Sequence, residues 1–283
     1  MGPLAVRRPN LFIVGAHRCG TSAMFEFLGA HPEIYPSVTK EPHYFTPARN
    51  TRTLDEYLEL FAGSTTEPWL LDATPEYLYT EEALRLIREF SPEARAIVMV
   101  RDPIEQMRSL HDMYVLFRPE PIDLAHDLAG PRAERLYWNR VRSGVNLSRL
   151  LAIFPPDNVH TVVYDDFRAD NAGEYRRVLE FLGVDTSFTP QFRAVIPTKT
   201  VRSRTLQRSL WDGSGALRAI ARATLPKRIR KKGFNWAARL NWRRSAQSQI
   251  DPDLAQELWR KLEPDVELLS RLLDRDLVSL WRR

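Results

Sequence analysis

Apolar residues along the chain fall into two textures. One is a short unbroken run; the other is a longer stretch in which apolar positions recur every three or four residues. The runs are LFIVG at 11–15, WLLDA at 69–73, RAIVMV at 95–100 and VHTVVY at 159–164. An unbroken apolar run bounded by turn residues fits a strand covered on both faces, as in a parallel sheet. The periodic stretches predict helices over 22–30 (Met24, Phe25, Phe27 and Leu28, stopping near Gly29 before Pro32), 81–90 (Leu84, Ile87 and Phe90), 104–117, 135–154 and 174–182, the last closed by Gly183. Strand and helix alternate, which predicts an α/β fold with a central, mainly parallel sheet flanked by helices. From about Arg202 the pattern is helical and basic, expected to pack on or cover the α/β core. No repeat and no Gly/Ser linker divides the chain, so residues 1–283 are expected to form a single domain.

Composition narrows the class. With 283 residues, 43% of them hydrophobic, the chain can bury a sizeable core. No run approaches the apolar length of a transmembrane helix. The start, MGPLAVRRPNLFIVG, lacks the signal-peptide pattern, and Val6 occupies the Ser/Thr position of a myristoylation motif. The expected location is the cytoplasm. One cysteine, Cys19, excludes an intramolecular disulfide and a multi-cysteine zinc site. Cys19 reads better as a small loop residue than as a nucleophile.

The net charge of +5 is unevenly spread. Between Asp212 and Asp251 there is no acid, while arginines and lysines from Arg218 to Arg244 interleave with Phe234, Trp236 and Trp242. Such an island attracts anions. It fits a solvated face near an acidic cofactor, or a peripheral contact with a membrane surface. No DNA- or RNA-binding motif supports a nucleic-acid partner.

Candidate chemistry begins at residues 15–22, GAHRCGTS. The spacing is that of a phosphate-binding loop, with Thr21 in place of the usual lysine and Arg18 at the loop tip. A strand, a glycine turn and a helix start present backbone N–H groups and partial positive charge to an anion. Thr21 and Ser22 add hydroxyls. Lacking the lysine that spans a triphosphate, the loop suits a 5′-phosphate group, although a kinase or NTPase with a degenerate lysine stays open on the loop alone. A second segment, IVMVRDPIEQMRSL at 97–110, puts Arg101 at the end of a central strand, where α/β sheets bind ligands, with Ser109 two helical turns on. Together these could bind a second anion. Two anion places across one sheet suit a nucleotide phosphorylated at both 5′ and 3′ positions. A non-enzymatic binder of acidic polymers, acting through the basic island, is the remaining alternative.

The segment LFIVGAHRCGTSAMFEFLGAHPEIYPSVTKEPHYF resembles the 5′-phosphosulfate loop of sulfotransferases followed by the KE-x-H-[YF]-F segment of the carbohydrate-type branch. IVMVRDPIEQMRSL resembles that family's 3′-phosphate motif, LDATPEYLY its [ED]-x-[ST]-P-x-Y segment, and VVYDDF its later Y-[ED]-D motif. TVRSRTLQRSL and the run from Leu254 to Trp281 are similar in character to the bacterial members. The order is preserved over nearly the whole chain.

The resemblance implies a P-loop-like sulfotransferase fold. It also implies a donor, 3′-phosphoadenosine 5′-phosphosulfate, which leaves as adenosine 3′,5′-bisphosphate, with no metal required. His17, Arg18, Cys19, Gly20, Thr21 and Ser22 are then expected at the 5′-phosphosulfate, and Arg101 and Ser109 at the 3′-phosphate. Tyr164, Arg202 and Ser203 are expected near the nucleotide. Arg18 would stabilise charge on the leaving phosphate. Glu41 is the candidate general base, with His43 beside it as rival base or acceptor contact, and His17 and His111 as further rivals. Asp72 and Tyr77 are expected to line the acceptor cleft. Heparan-type members often carry lysine where this chain has Ala73, which weakens the case for a heparan-like acceptor. A carbohydrate, glycolipid or secondary-metabolite hydroxyl is expected as acceptor.

Overall fold

A computed structural model of the chain describes residues 7–118, 122–192, 199–203, 205, 240–244 and 248–282. Its core is a five-stranded sheet in the order β2-β3-β1-β4-β5: β1 (Leu11–Gly15), β2 (Ile34–Pro36), β3 (Trp69–Ala73), β4 (Arg95–Val100) and β5 (Val159–Val163). All four pairings are parallel. The unbroken apolar runs thus have the two-sided burial their composition requires, and β1 is buried at every residue. The chain lays β2 and β3 on one side of β1 and then crosses to lay β4 and β5 on the other, so the β1/β4 boundary is the switch point at which ligands bind in open α/β sheets.

Helices α1 (Thr21–Gly29), α3 (Glu81–Phe90) and α9 (Asn171–Leu182) form where the period predicts them. α4 (Pro103–Val115) starts at Asp102, whose carboxylate accepts from the N–H groups of Ile104 and Glu105. Three short elements have no strong period in the sequence: β2, α2 (Leu54–Leu58) and α5 (Leu124–Ala129). α2 is held by a capping box between Thr53 and Glu56.

Two expectations are corrected. The helix expected over 135–154 is broken into a π-turn at Glu134–Trp138, α6 (Asn139–Val141) and α7 (Ser143–Leu151). The cause is long-range. Asp265 accepts from the N–H groups of Gly144 and Val145 at 2.9 Å each, capping α7 from outside. Gly144 lies so close that a Cβ would sit 2.3 Å from the Asp265 carbonyl oxygen. The last third is not wholly helical: Lys199–Val201 pairs antiparallel with Trp242–Arg244, ahead of the long helix Pro252–Leu272 and the short one Leu277–Trp281. Of the basic stretch 218–244, residues 218–239 lie outside the described residues. No helix among the described residues is long and apolar enough to cross a membrane.

Candidate active site

The glycine loop turns off the end of β1 directly beside the end of β4. Gly20 caps α1 at φ 96°, a left-handed value that glycine adopts without strain. A Cβ there would lie 3.2 Å from Met99 Cε and from Tyr164 Cδ2, so the absent side chain leaves the floor of a cradle open. The N–H groups of Thr21 and Ser22 open α1, the part of a helix that favours negative charge.

Around that cradle the predicted cations converge. Arg18 Nε donates to Ser109 Oγ at 2.9 Å, and Arg101 Nη1 donates to the Arg18 carbonyl at 3.1 Å. The Arg101 guanidinium lies over the Tyr164 ring, 4.5 Å from its centroid, and reaches Glu105 at 3.4 Å. Asp102, the neighbour in sequence, is spent on capping α4. Burial, and then the like charge of Arg101, lower the pKa of Arg18. Two guanidiniums held together favour an anion between them.

Tyr164 is the first residue of α8 (Tyr164–Ala169), not the last of β5. Its ring thereby closes over the loop. α8 is tethered from the C-terminus, where Trp281 Nε1 donates to Asp165 at 3.0 Å and Arg275 pairs with Asp166. Arg202 and Ser203 are exposed; Ser203 N–H donates to Asn241 Oδ1 at 2.9 Å, and the backbone of Arg202 bonds to that of Asn241.

Several expectations change. The Cys19 side chain is fully buried and burial pushes its thiol up to about 12, so the sulfur is neither nucleophile nor anion contact. His17 cannot serve as a base. Its backbone N–H donates to the Tyr79 hydroxyl at 2.8 Å and its Nδ1 lies 3.1 Å from the same oxygen. The hydroxyl satisfies both when it gives its proton to Nδ1, which assigns the ring hydrogen to Nε2, facing Glu76 at 3.5 Å. Burial, ahead of the charges of Arg140, Lys40 and Arg49, holds the ring neutral. His111 is turned into a separate cluster, 3.0 Å from the Tyr137 hydroxyl and 3.3 Å from Asp127.

Asp72 and Tyr77 line no cleft. Both are fully buried, and Asp72 accepts from the hydroxyls of Tyr57, Thr74 and Tyr77 at 2.8, 2.8 and 2.9 Å. Burial pushes the Asp72 carboxyl up to about 6. The group forms the floor beneath the acceptor side.

That side holds Glu41 and His43. Glu41 Oε2 lies 3.3 Å from His43 Nε2, and Oε1 3.4 Å from Lys40 Nζ. Burial, with Arg49 next and Glu41 opposing, lowers the pKa of His43. With Nε2 turned toward Glu41, the other ring nitrogen, Nδ1, is buried and without a hydrogen-bond partner among the described residues. The Glu41 side chain, by contrast, is 27% exposed. Arg52 braces this segment by donating to the Pro42 carbonyl at 2.8 Å.

Glu76, Arg49 and Arg140 were not flagged by sequence motifs. Arg140 Nη2 reaches the Glu76 carboxylate at 3.1 and 3.2 Å and Arg49 Nη1 reaches it at 3.2 Å. The Arg140–Glu76 contact joins residues 64 apart in sequence, so no local pattern carries it.

A glycine loop, a helix start and a second cationic strand end thus meet at the switch point of an α/β fold of the P-loop-like class. Comparison with known proteins sharpens this. The model of the Sulfotransferase family matches residues 51–189, a stretch that begins after the glycine loop and Glu41. Heparan sulfate glucosamine 3-O-sulfotransferase 6 of Homo sapiens is 33% identical over 193 residues, which is 65% of this chain and 54% of that one. Heparan sulfate glucosamine 3-O-sulfotransferase 3B1 of Homo sapiens is 30% identical over 189 residues, 64% of this chain and 47% of that one. The chain spans about half the length of these curated relatives. The crystal structure of a sulfotransferase from Alicyclobacillus acidocaldarius is 25% identical, with a TM-score of 0.73 over 98% of this chain and 100% of that one. The chain is thus similar to sulfotransferases, in sequence over about two thirds of its length and in fold over nearly all of it.

Proposed function

We propose that the protein transfers a sulfuryl group from 3′-phosphoadenosine 5′-phosphosulfate to a hydroxyl of a carbohydrate acceptor. The observation that carries this reading is the meeting of Arg18, Arg101 and Ser109 above the Gly20 cradle. The donor supplies the activated sulfuryl group. The N–H groups of Gly20, Thr21 and Ser22 and the Arg18 guanidinium would hold its 5′ end, with Cys19 contributing backbone only. Arg101 and Ser109 would hold the 3′-phosphate, with Tyr164 beside the nucleotide. Arg202 and Ser203 belong to the same reading as outer contacts.

In the reaction, the acceptor oxygen forms a bond to sulfur while the bond from sulfur to the bridging phosphate oxygen breaks. That electron pair leaves with adenosine 3′,5′-bisphosphate. Glu41 takes the acceptor's proton, and His43, whose Nε2 lies 3.3 Å from it, helps place the carboxylate. Arg18 keeps its proton throughout and acts by charge alone, because a guanidinium is not deprotonated in proteins. Around Glu41, the cations Lys40, Arg49, Arg52 and Arg140 outnumber the carboxylates Glu41, Glu76 and Asp72. That excess favours an acceptor bearing carboxylate or sulfate groups, even though Ala73 supplies no lysine. A cytoplasmic location is part of the same proposal; recovery of a tagged chain from the secreted fraction would contradict it.

Thermal shift tests the core of the reading, since a ligand that binds the native state raises its melting temperature. Adenosine 3′,5′-bisphosphate is expected to stabilise the protein and ATP with Mg²⁺ is not. The reverse pattern would favour a nucleoside-triphosphate enzyme. A screen of anionic and neutral oligosaccharides with mass-resolved donor then identifies the acceptor.

A further inference from the structure

The Glu76 carboxylate stands where four segments meet. His17 comes from the glycine loop, Arg49 from the loop that follows Glu41 and His43, Arg140 from α6, and Glu76 itself from the turn after β3. Three side chains bring nitrogen atoms to the carboxylate: His17 Nε2 at 3.5 Å, Arg49 Nη1 at 3.2 Å, and Arg140 Nη2 at 3.1 and 3.2 Å from its two oxygens. A parallel tie reinforces the arrangement, because Gln106 Nε2 donates to both the His17 and the Arg140 carbonyls, at 2.9 and 3.0 Å. The Arg140 guanidinium also lies 5.2 Å from the centroid of the Tyr79 ring, and Tyr79 is the partner of both the backbone and the Nδ1 of His17.

We propose that Glu76 is a positioning residue for the donor loop, an inference that rests on the sulfotransferase reading. It acts through His17. Its negative charge, 3.5 Å from Nε2, favours the tautomer that carries the ring hydrogen there and leaves Nδ1 for the Tyr79 hydroxyl. The His17 backbone is thereby fixed between Tyr79 on its N–H and Gln106 on its carbonyl, immediately ahead of Arg18. Arg18 is held in turn at φ 66°, with its guanidinium on Ser109. Glu76 touches no reacting atom in this scheme. Its charge matters because two guanidiniums and an imidazole N–H converge on it, and an uncharged replacement leaves those donors facing one another.

Two readouts test the role. The first is the His17 ring in ¹⁵N-histidine spectra, assigned by its loss in His17→Gln. The second is the Kd for adenosine 3′,5′-bisphosphate by calorimetry, measured well below the melting temperature. In the wild type, His17 is expected as a neutral Nε2–H ring near pH 7. In Glu76→Ala, the ring is expected to average between tautomers, and Kd to rise on the order of tenfold, since small misplacements of positioning groups carry large penalties. Glu76→Gln, which keeps one acceptor oxygen, is expected to fall between the two. A wild-type His17 spectrum in Glu76→Ala, or a Kd unchanged within about twofold, would overturn the proposal. If Glu76→Ala does not fold, Glu76→Gln reads the same quantities, and wild-type values in it overturn the proposal equally. If the wild type itself ignores the bisphosphate, the sulfotransferase reading falls, while the His17 spectrum still decides whether Glu76 sets the ring.

Discussion

On the donor side, Arg18 and Arg101 hang from the ends of β1 and β4, strands bonded to each other from Leu11↔Arg95 to Gly15↔Val98, and Ser109 projects from the helix that β4 feeds. On the acceptor side, Glu41, His43 and Arg49 lie in a stretch without strand or helix between β2 and α2. Donor-side geometry is inherited from a sheet whose central strand, β1, is fully buried. Acceptor-side geometry is made by side chains and loops: Glu41 on His43 and Lys40, Arg49 on Glu76, Arg52 on the Pro42 carbonyl. The lesson is a division of labour. A rigid scaffold fixes what every donor molecule shares, and a loop held by exchangeable contacts meets an acceptor that can differ between relatives.

The division can be broken most visibly at Glu41. Glu41→Gln is expected to lower kcat by about 10²- to 10⁴-fold, the usual contribution of a positioned base, with adenosine 3′,5′-bisphosphate affinity preserved. Loss of both in equal measure would dissolve the distinction between the two sides. Next in size is Arg18→Ala, which should weaken bisphosphate binding roughly 10- to 100-fold, as expected for a charge-assisted hydrogen bond to an anion. Unchanged calorimetric affinity would remove Arg18 from the donor side. Gly20→Ala should be milder. It forces a left-handed backbone on an alanine, at about 1–2 kcal/mol, and presses a methyl toward Met99 and Tyr164, so both melting temperature and donor affinity should drop together.

The smallest effect concerns the acceptor floor and is read as a slope. Burial lifts Asp72 from 3.8 to about 6. Between those values the folded chain keeps a proton that the unfolded chain has released, so this group's contribution to stability falls as pH rises through the window. Asp72→Asn removes the titration. Its melting temperature relative to wild type should therefore climb by a few degrees from pH 4 to pH 6. A flat difference would show that Asp72 is ionised in both states.

The same division explains what could be read from the sequence. Strands β1, β3, β4 and β5 announce themselves because two-sided burial demands unbroken apolar runs. Arg18, Arg101 and Ser109 are legible because they occupy fixed offsets from those strands. β2 is three residues long and ends in proline, too short for any period to register. The break in the helix expected over 135–154 depends on Asp265, more than a hundred residues away. Asp72 and Tyr77 sit in a motif but face inward: Asp72 lies in β3, which is buried from Leu70 onward, and the Tyr77 hydroxyl turns back from the following turn to donate to it. Glu76 and Arg140 meet only once the chain is folded, and neither has a local signature.

The central claim is that Arg101 and Ser109 form a place for a 3′-phosphate beside the glycine loop. Its most direct test is a calorimetric comparison of adenosine 3′,5′-bisphosphate with adenosine 5′-monophosphate on the wild type and on Arg101→Ala. The account predicts that the wild type binds the bisphosphate much more tightly, and that Arg101→Ala erases most of that preference while leaving monophosphate binding nearly unchanged. Equal affinity of the wild type for the two nucleotides would contradict it.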